Sequence, residues 1–227
     1  MRILKVVIAV AVVLGVLAVV GPFVYIHFIQ GPAPKRLTLS SSGTTTTVVP
    51  NAPVDGAWKA TSDGAQAGYR AKEVLFGQSA DAVGRTDKVT GSLTIAGTKV
   101  NDASVIVDMA SVHSDRSQRD GQFRGRIMDV NRFPTAQFVL TEPIDLGSAI
   151  PEVGKVVTVT ATGKLTLHGT TKPVTVPLSA VYDGRQITVN GTIPVKFADY
   201  EIPDATFGPA QVQDHGEIEF LVHFVRA

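Results

Sequence analysis

The chain has 227 residues, 44% of them apolar and 18% charged, with no cysteine and a formal charge of +1. A disordered chain carries fewer apolar residues and more net charge, so this composition describes a folded protein. The missing cysteines exclude disulfides, thiolate zinc sites, iron–sulfur clusters and a cysteine nucleophile.

The first element is apolar throughout. From Val6 to Ile29 there is no Asp, Glu, Lys or Arg, and at ~1.5 Å per residue such a stretch gives roughly 36 Å of helix, enough to cross a bilayer core of about 30 Å. The sequence predicts a cytoplasmic tail at 1–5 and a transmembrane anchor at 6–29, with Phe23, Tyr25 and Phe28 as an interfacial aromatic belt. A cleaved signal peptide is the alternative, because Gly21-Pro22 can end the helix early. Arg2, Lys5 and the amino terminus precede the segment and Lys35 and Arg36 follow it. That balance leans toward a single-pass membrane protein with its carboxy-terminal domain extracytoplasmic, in a periplasm or cell envelope.

Residues 30–54 carry Pro32, Pro34, Pro50 and Pro53 around a polar run from Ser40 to Thr47. This composition predicts a flexible linker. The remainder, 55–227, has the size of one domain. It holds 17 basic and all 20 acidic residues, a net charge of −3. Arg116, Arg119, Arg124, Arg126 and Arg132 are interleaved with Asp115, Asp120 and Asp129, a solvated helical face rather than the basic stripe that nucleic acid requires.

Within the domain, Trp58 and Tyr69 mark two short candidate strands, and Glu73 to Arg85 reads as a short helix or loop. Val89, Gly91, Leu93 and Ile95 pair with Ala103, Val105, Val107 and Met109 across a turn at Gly97-Thr98. Ser111 to Thr135 is helical in spacing, with Ser114 or Asp115 as cap, Phe123, Ile127 and Met128 on one face, and Pro134 as the stop. Ala136, Phe138 and Leu140 form the next strand. Val156 to Leu167 alternates strictly, as do Val174 to Tyr182, Ile187 to Phe197 after an Asp183-Gly184 turn, and Ile218 to Phe224. About eight strands joined by short turns, each with one polar face, suit an antiparallel sheet. Closing it into a barrel removes the edges and can enclose one small ligand, and a two-sheet sandwich has the same periodicity.

Two motifs resemble a known family. Arg119-Asp120 through Phe123, followed by Asp129-Val130, Phe133-Pro134-Thr135 and Phe138, is similar to the YceI-like signature, as is the strand–turn–strand from Gly163 to Val174 with His168-Gly169 at its turn. Gln122, Ile127-Met128 and the segment Val74 to Ala80 depart from the family pattern. The resemblance implies an all-β, eight-stranded antiparallel, lipocalin-like barrel with short helices at one end. It also implies an elongated apolar cavity for a polyisoprenoid or other long-chain lipid, no metal, no cofactor and no catalysis. With the anchor in front, the expected partners are a long-chain lipid ligand and the membrane; the oligomeric state is open, a dimer included.

Inward positions that would line such a cavity are Val105, Val107, Phe138, Leu140, Val159, Leu165, Val176, Leu178, Ile193, Val195, Phe220 and Val222. Phe123, Ile127, Met128 and Phe133 would cap its end. A packed core has the same periodicity, so an envelope interaction module with a filled barrel is the second reading. A lipid-modifying hydrolase or isomerase is the third and requires a polar cluster inside the cavity. The five histidines are scattered, and there is no G-x-S-x-G, H-E-x-x-H or P-loop, so the sequence predicts no catalytic or metal site. Arg119 with Asp120 reads as a structural pair, His168 as a turn residue bonded locally, and His223 as solvated.

Overall fold

The structure is a computed structural model and describes residues 2–24, 33–39, 54–75, 77–147, 152–208 and 210–227. Helix α1 spans Arg2–Val24. Residues 25–29 of the expected span lie outside the described residues, and among the described residues no helix is long and apolar enough to cross a membrane. The expected span therefore gains no support from the fold. Tyr25, Phe28 and the run from Ser40 to Thr47 lie outside the described residues.

Eleven strands form one antiparallel sheet: β1 Gly56–Leu75, β2 Gln78–Thr86, β3 Val89–Ala96, β4 Lys99–Asp108, β5 His113–Ser114, β6 Thr135–Leu140, β7 Ile144–Asp145, β8 Val157–Leu167, β9 Thr170–Tyr182, β10 Gln186–Lys196 and β11 Ala210–Arg226. Pairing of β11 with β1, from Trp58↔Arg226 to Leu75↔Ala210, closes the sheet on itself. The ring is β1, β3, β4, β6, β8, β9, β10 and β11, an eight-stranded antiparallel barrel. Its hairpins are set where the backbone must be left-handed: Gly97 has φ +59° between β3 and β4, and His168 and Gly169 have φ +49° and +77° between β8 and β9.

Three elements differ from the sequence expectation. The two short candidates at Trp58 and Tyr69 are one long strand, β1, whose register with β11 shifts between Thr61 and Gln66. A bulge there breaks the alternation, so the sequence reads as two pieces. The segment Glu73 to Arg85 is neither helix nor loop but the β1–β2 hairpin, pairing Ala67↔Thr86 through Leu75↔Gln78. Helix α2 covers only Ser117–Gln122, with Arg116 at its cap position and no side-chain cap, and passes into a π-turn at Phe123–Ile127. Ser114 lies in β5, and its amide and hydroxyl both bond Asp120, so its side chain is not available to cap the helix.

Part of the expected linker is tied to the barrel. The extended segment Ala33–Leu39 lies across its outer face, where Arg70 donates to the Pro34 carbonyl at 2.7 Å and Asn190 to the Leu37 carbonyl at 3.0 Å. Arg85 donates to the Lys35 carbonyl, and Arg36 pairs with Glu217. Beneath this strap Glu219 is 1% exposed, held by Arg85 at 2.6 Å and Arg70 at 3.3 Å. The alternation of β11 places Glu219 on the outer face, where an unpaired carboxylate would be costly to bury. The two guanidiniums and the strap over them make that burial tolerable.

Candidate functional site

The barrel is hollow at the end covered by α2 and the π-turn, where a cavity of about 810 Å³ opens. Its emptiness follows from small side chains at inward positions. Ala67 and Ala71 on β1, Ala82 on β2, Ala136 on β6 and Ala210 on β11 all line it, and an alanine in a barrel wall leaves room that a larger residue would fill. Over that wall Phe123, Ile127 and Met128 close one side of the mouth, while Phe197, Ile202 and Phe207 close another. Ligand cavities generally measure about 300–1,000 Å³ with mostly apolar walls and a few convergent polar groups, so this one has the size and the lining of a site.

The polar groups converge at the mouth. Glu73 on β1, 4% exposed, accepts from Nη2 of Arg119 on α2 at 2.9 Å. The other Arg119 nitrogen, Nη1, donates to Asp115. Burial works against the Arg119 charge, but the nearby Glu73 and Asp115 carboxylates outweigh it and hold the pKa above the ordinary guanidinium value. Beside them the Tyr69 ring stacks on Phe123, with centroids 5.0 Å apart and planes at 16°. Burial pushes the Tyr69 hydroxyl above its ordinary range, partly opposed by the positive charge of Arg119, so it stays protonated at neutral pH. The lining thus holds an ion pair and an uncharged hydroxyl, together with Arg116, Gln118 and Gln122 from the covering segment and Arg70 and Glu217 from the wall strands. No Ser, Thr, His or Lys is among the described residues that line this cavity.

A second, smaller cavity of about 170 Å³ occupies the other half of the barrel. The residues expected to line the interior divide between the two. Val107, Phe123, Ile127, Met128 and Val195 line the large one. Val105, Phe138, Val159, Val176, Leu178, Ile193, Phe220 and Val222 line the small one. Leu165 is 3% exposed in the core and Leu140 pairs with Gly163; both are absent from either lining. Phe133 is likewise not at the cavity. Its ring sits 4.7 Å from that of His168, over Gly169, where a Cβ would come within 2.4 Å of it.

Several polar assignments change. Arg119 and Asp120 do not pair: on successive helical positions they point apart, Arg119 to Glu73 and Asp120 to Ser114. His168 is not bonded locally; its Nδ1 lies 3.2 Å from the Tyr200 carbonyl. His223 is half-buried and bonds Thr188 at 2.9 Å across the β10–β11 pair. Tyr69 and Glu73 escaped the sequence reading. Their signal was the alternation Ala65, Ala67, Tyr69, Ala71, Glu73, Leu75, in which small residues weaken the apolar pattern that marks a strand.

Comparison with known proteins gives one consistent result. A family model described as YceI-like domain matches residues 58–224. A UPF0312 protein of Vibrio vulnificus is 35% identical over 116 residues, 48% of this chain and 56% of that protein. The chain thus spans about half the length of the curated relatives it matches. Among solved structures, a polyisoprenoid binding domain from Saccharophagus degradans implicated in plant cell wall breakdown superposes with a TM-score of 0.60 at 17% identity, covering 76% of this chain and 100% of that one. BcnA of Burkholderia cenocepacia superposes with a TM-score of 0.58 at 21% identity, covering 72% of this chain and 98% of that one. At these identities the likeness is one of fold.

Proposed function

This chain belongs to the YceI-like family, and on that footing we propose that it binds a long apolar ligand, a polyisoprenoid or similar lipid, inside the barrel without chemically altering it. The observation that carries the proposal is the 810 Å³ cavity, walled largely by alanines and other apolar side chains. Burial of the chain supplies the affinity, at about 0.8 kcal/mol per methylene before the cost of ordering it. The open volume argues against a filled barrel acting only as an interaction module. Glu73 and Arg119 neutralise each other, and among the described lining residues no hydroxyl nucleophile stands beside a histidine, the arrangement a hydrolase would use.

The test is displacement of an apolar fluorescent probe from the full chain by a linear isoprenoid alcohol and by its pyrophosphate. Saturable displacement with one ligand per chain is the expected result. Absence of displacement by either contradicts the proposal.

The amino-terminal segment completes the reading as a tether. Its support is the run without Asp, Glu, Lys or Arg from Val6 to Ile29, and the exposure of apolar side chains along α1, Leu4 at 64% and Leu14 at 60% among them. The basic residues on its amino-terminal side favour a barrel outside the cytoplasm. In fractionated cells the chain should stay with membranes through an alkaline wash and leave only with detergent. Release by the wash would show that the segment does not anchor it.

A further inference from the structure

The interior of the barrel is divided, and the division lies at one level of the wall. On four strands the boundary falls between successive inward positions: Val107 and Val105 on β4, Ala136 and Phe138 on β6, Val195 and Ile193 on β10, Ile218 and Phe220 on β11. The first residue of each pair lines the large cavity and the second the small one; no described residue lines both. Strand register keeps these positions together, with Val105 opposite Phe138 and Ile193 opposite Ile218.

Two aromatic rings occupy this level, and each lies over a glycine on the neighbouring strand. Gly191 is paired with Phe220, and a Cβ there would come within 2.6 Å of Phe220 Cζ and 2.9 Å of Leu178 Cδ2. Gly163, on the strand next to Phe138, would bring a Cβ within 2.4 Å of Phe138 Cζ. Both glycines sit in strand interiors, where glycine is unfavourable and marks a close approach. Phe220 is also the one described residue that packs against both halves of the core, the cluster around Leu165 and Tyr200 and the cluster around Trp58 and Val222. The two glycines leave the room that both rings occupy at this level.

We propose that Phe138 and Phe220 form the floor of the ligand cavity and set the longest apolar chain it accepts. The inference rests on the lipid-binding reading and gives it a length limit. Beyond the rings the small cavity holds about 170 Å³ lined almost wholly by apolar side chains. A methylene takes up about as much room as a water molecule, ~30 Å³, so opening the floor admits roughly five or six more carbons, and the space left by the missing ring extends this to about one or two isoprene units.

The experiment measures binding of a graded series of linear isoprenoid alcohols to the full chain by probe displacement and native mass spectrometry. Wild-type affinity should rise with length to a threshold and then stop rising. In Phe220→Ala the threshold should move up by about one or two isoprene units, with affinity for the first chain beyond the wild-type limit gaining at least about tenfold. Because Phe220 joins both core halves, Phe138→Leu and Phe220→Leu, which keep most of the volume, serve if the alanine variant does not fold; a smaller shift in the same direction is expected. Gly191→Ala, which pushes the ring into the bore, should lower the threshold. An unchanged threshold in the folded Phe138 and Phe220 variants overturns the inference, whereas wild-type protein that binds no alcohol of any length overturns the lipid-binding reading itself.

Discussion

Arg119→Ala lowers the unfolding free energy by about 3–5 kcal/mol, because it leaves Glu73 as a buried carboxylate without its partner. The Glu73 side chain is 4% exposed and that of Arg119 15%, so water can replace little of what is lost. For a chain of this size each kcal/mol moves Tm by about 2–4 °C, which puts the expected drop near ~10 °C. The companion variant Glu73→Gln with Arg119→Met removes both charges and should recover most of that loss, since a buried ion pair contributes less than either unpaired member costs. Thermal unfolding of the single and double variants decides it. A loss under about 1 kcal/mol for Arg119→Ala would mean that the pair is effectively solvated.

Ala136→Trp removes ligand binding while leaving the barrel folded. Ala136 stands on β6 opposite Val107 in the buried core and also lines the large cavity, so the indole has open volume to enter. If it displaces four or five methylenes of a bound chain, about 3–4 kcal/mol of burial is lost, a weakening of more than a hundredfold. Probe displacement read beside circular dichroism separates lost binding from lost folding. Wild-type affinity in the folded variant would place the ligand elsewhere.

The barrel was legible where one residue per position carried the alternation. Strand β8 reads Val157, Val159, Ala161, Gly163, Leu165, Leu167 inward without interruption, and β9, β10 and β11 repeat it, so periodicity alone drew half the wall. It failed at β1 and β2, because the wall there is built of Ala67, Ala71 and Ala82, residues too small to announce a buried face. The hollow half and the weak pattern have the same cause. Phe123, Ile127 and Met128 were recognisable as a cover from their spacing, whereas Phe133 was not separable from them, since its contact with His168 and Gly169 joins residues distant in the chain. The Glu73–Arg119 pair spans 46 positions and the strap on Arg70 spans 36. No local rule of charge spacing reaches that far.

The proposed occupant of the cavity between β1, β4, β6 and the π-turn is a long apolar chain. Its most direct measurement is mass spectrometry of the organic extract from the full chain purified from the cells that produce it, set beside Ala136→Trp prepared identically. A long-chain lipid at about one per wild-type chain, absent from the variant, is the expected result. Equal lipid in both, or none in either while the wild-type protein also fails to take up any isoprenoid alcohol, would contradict it.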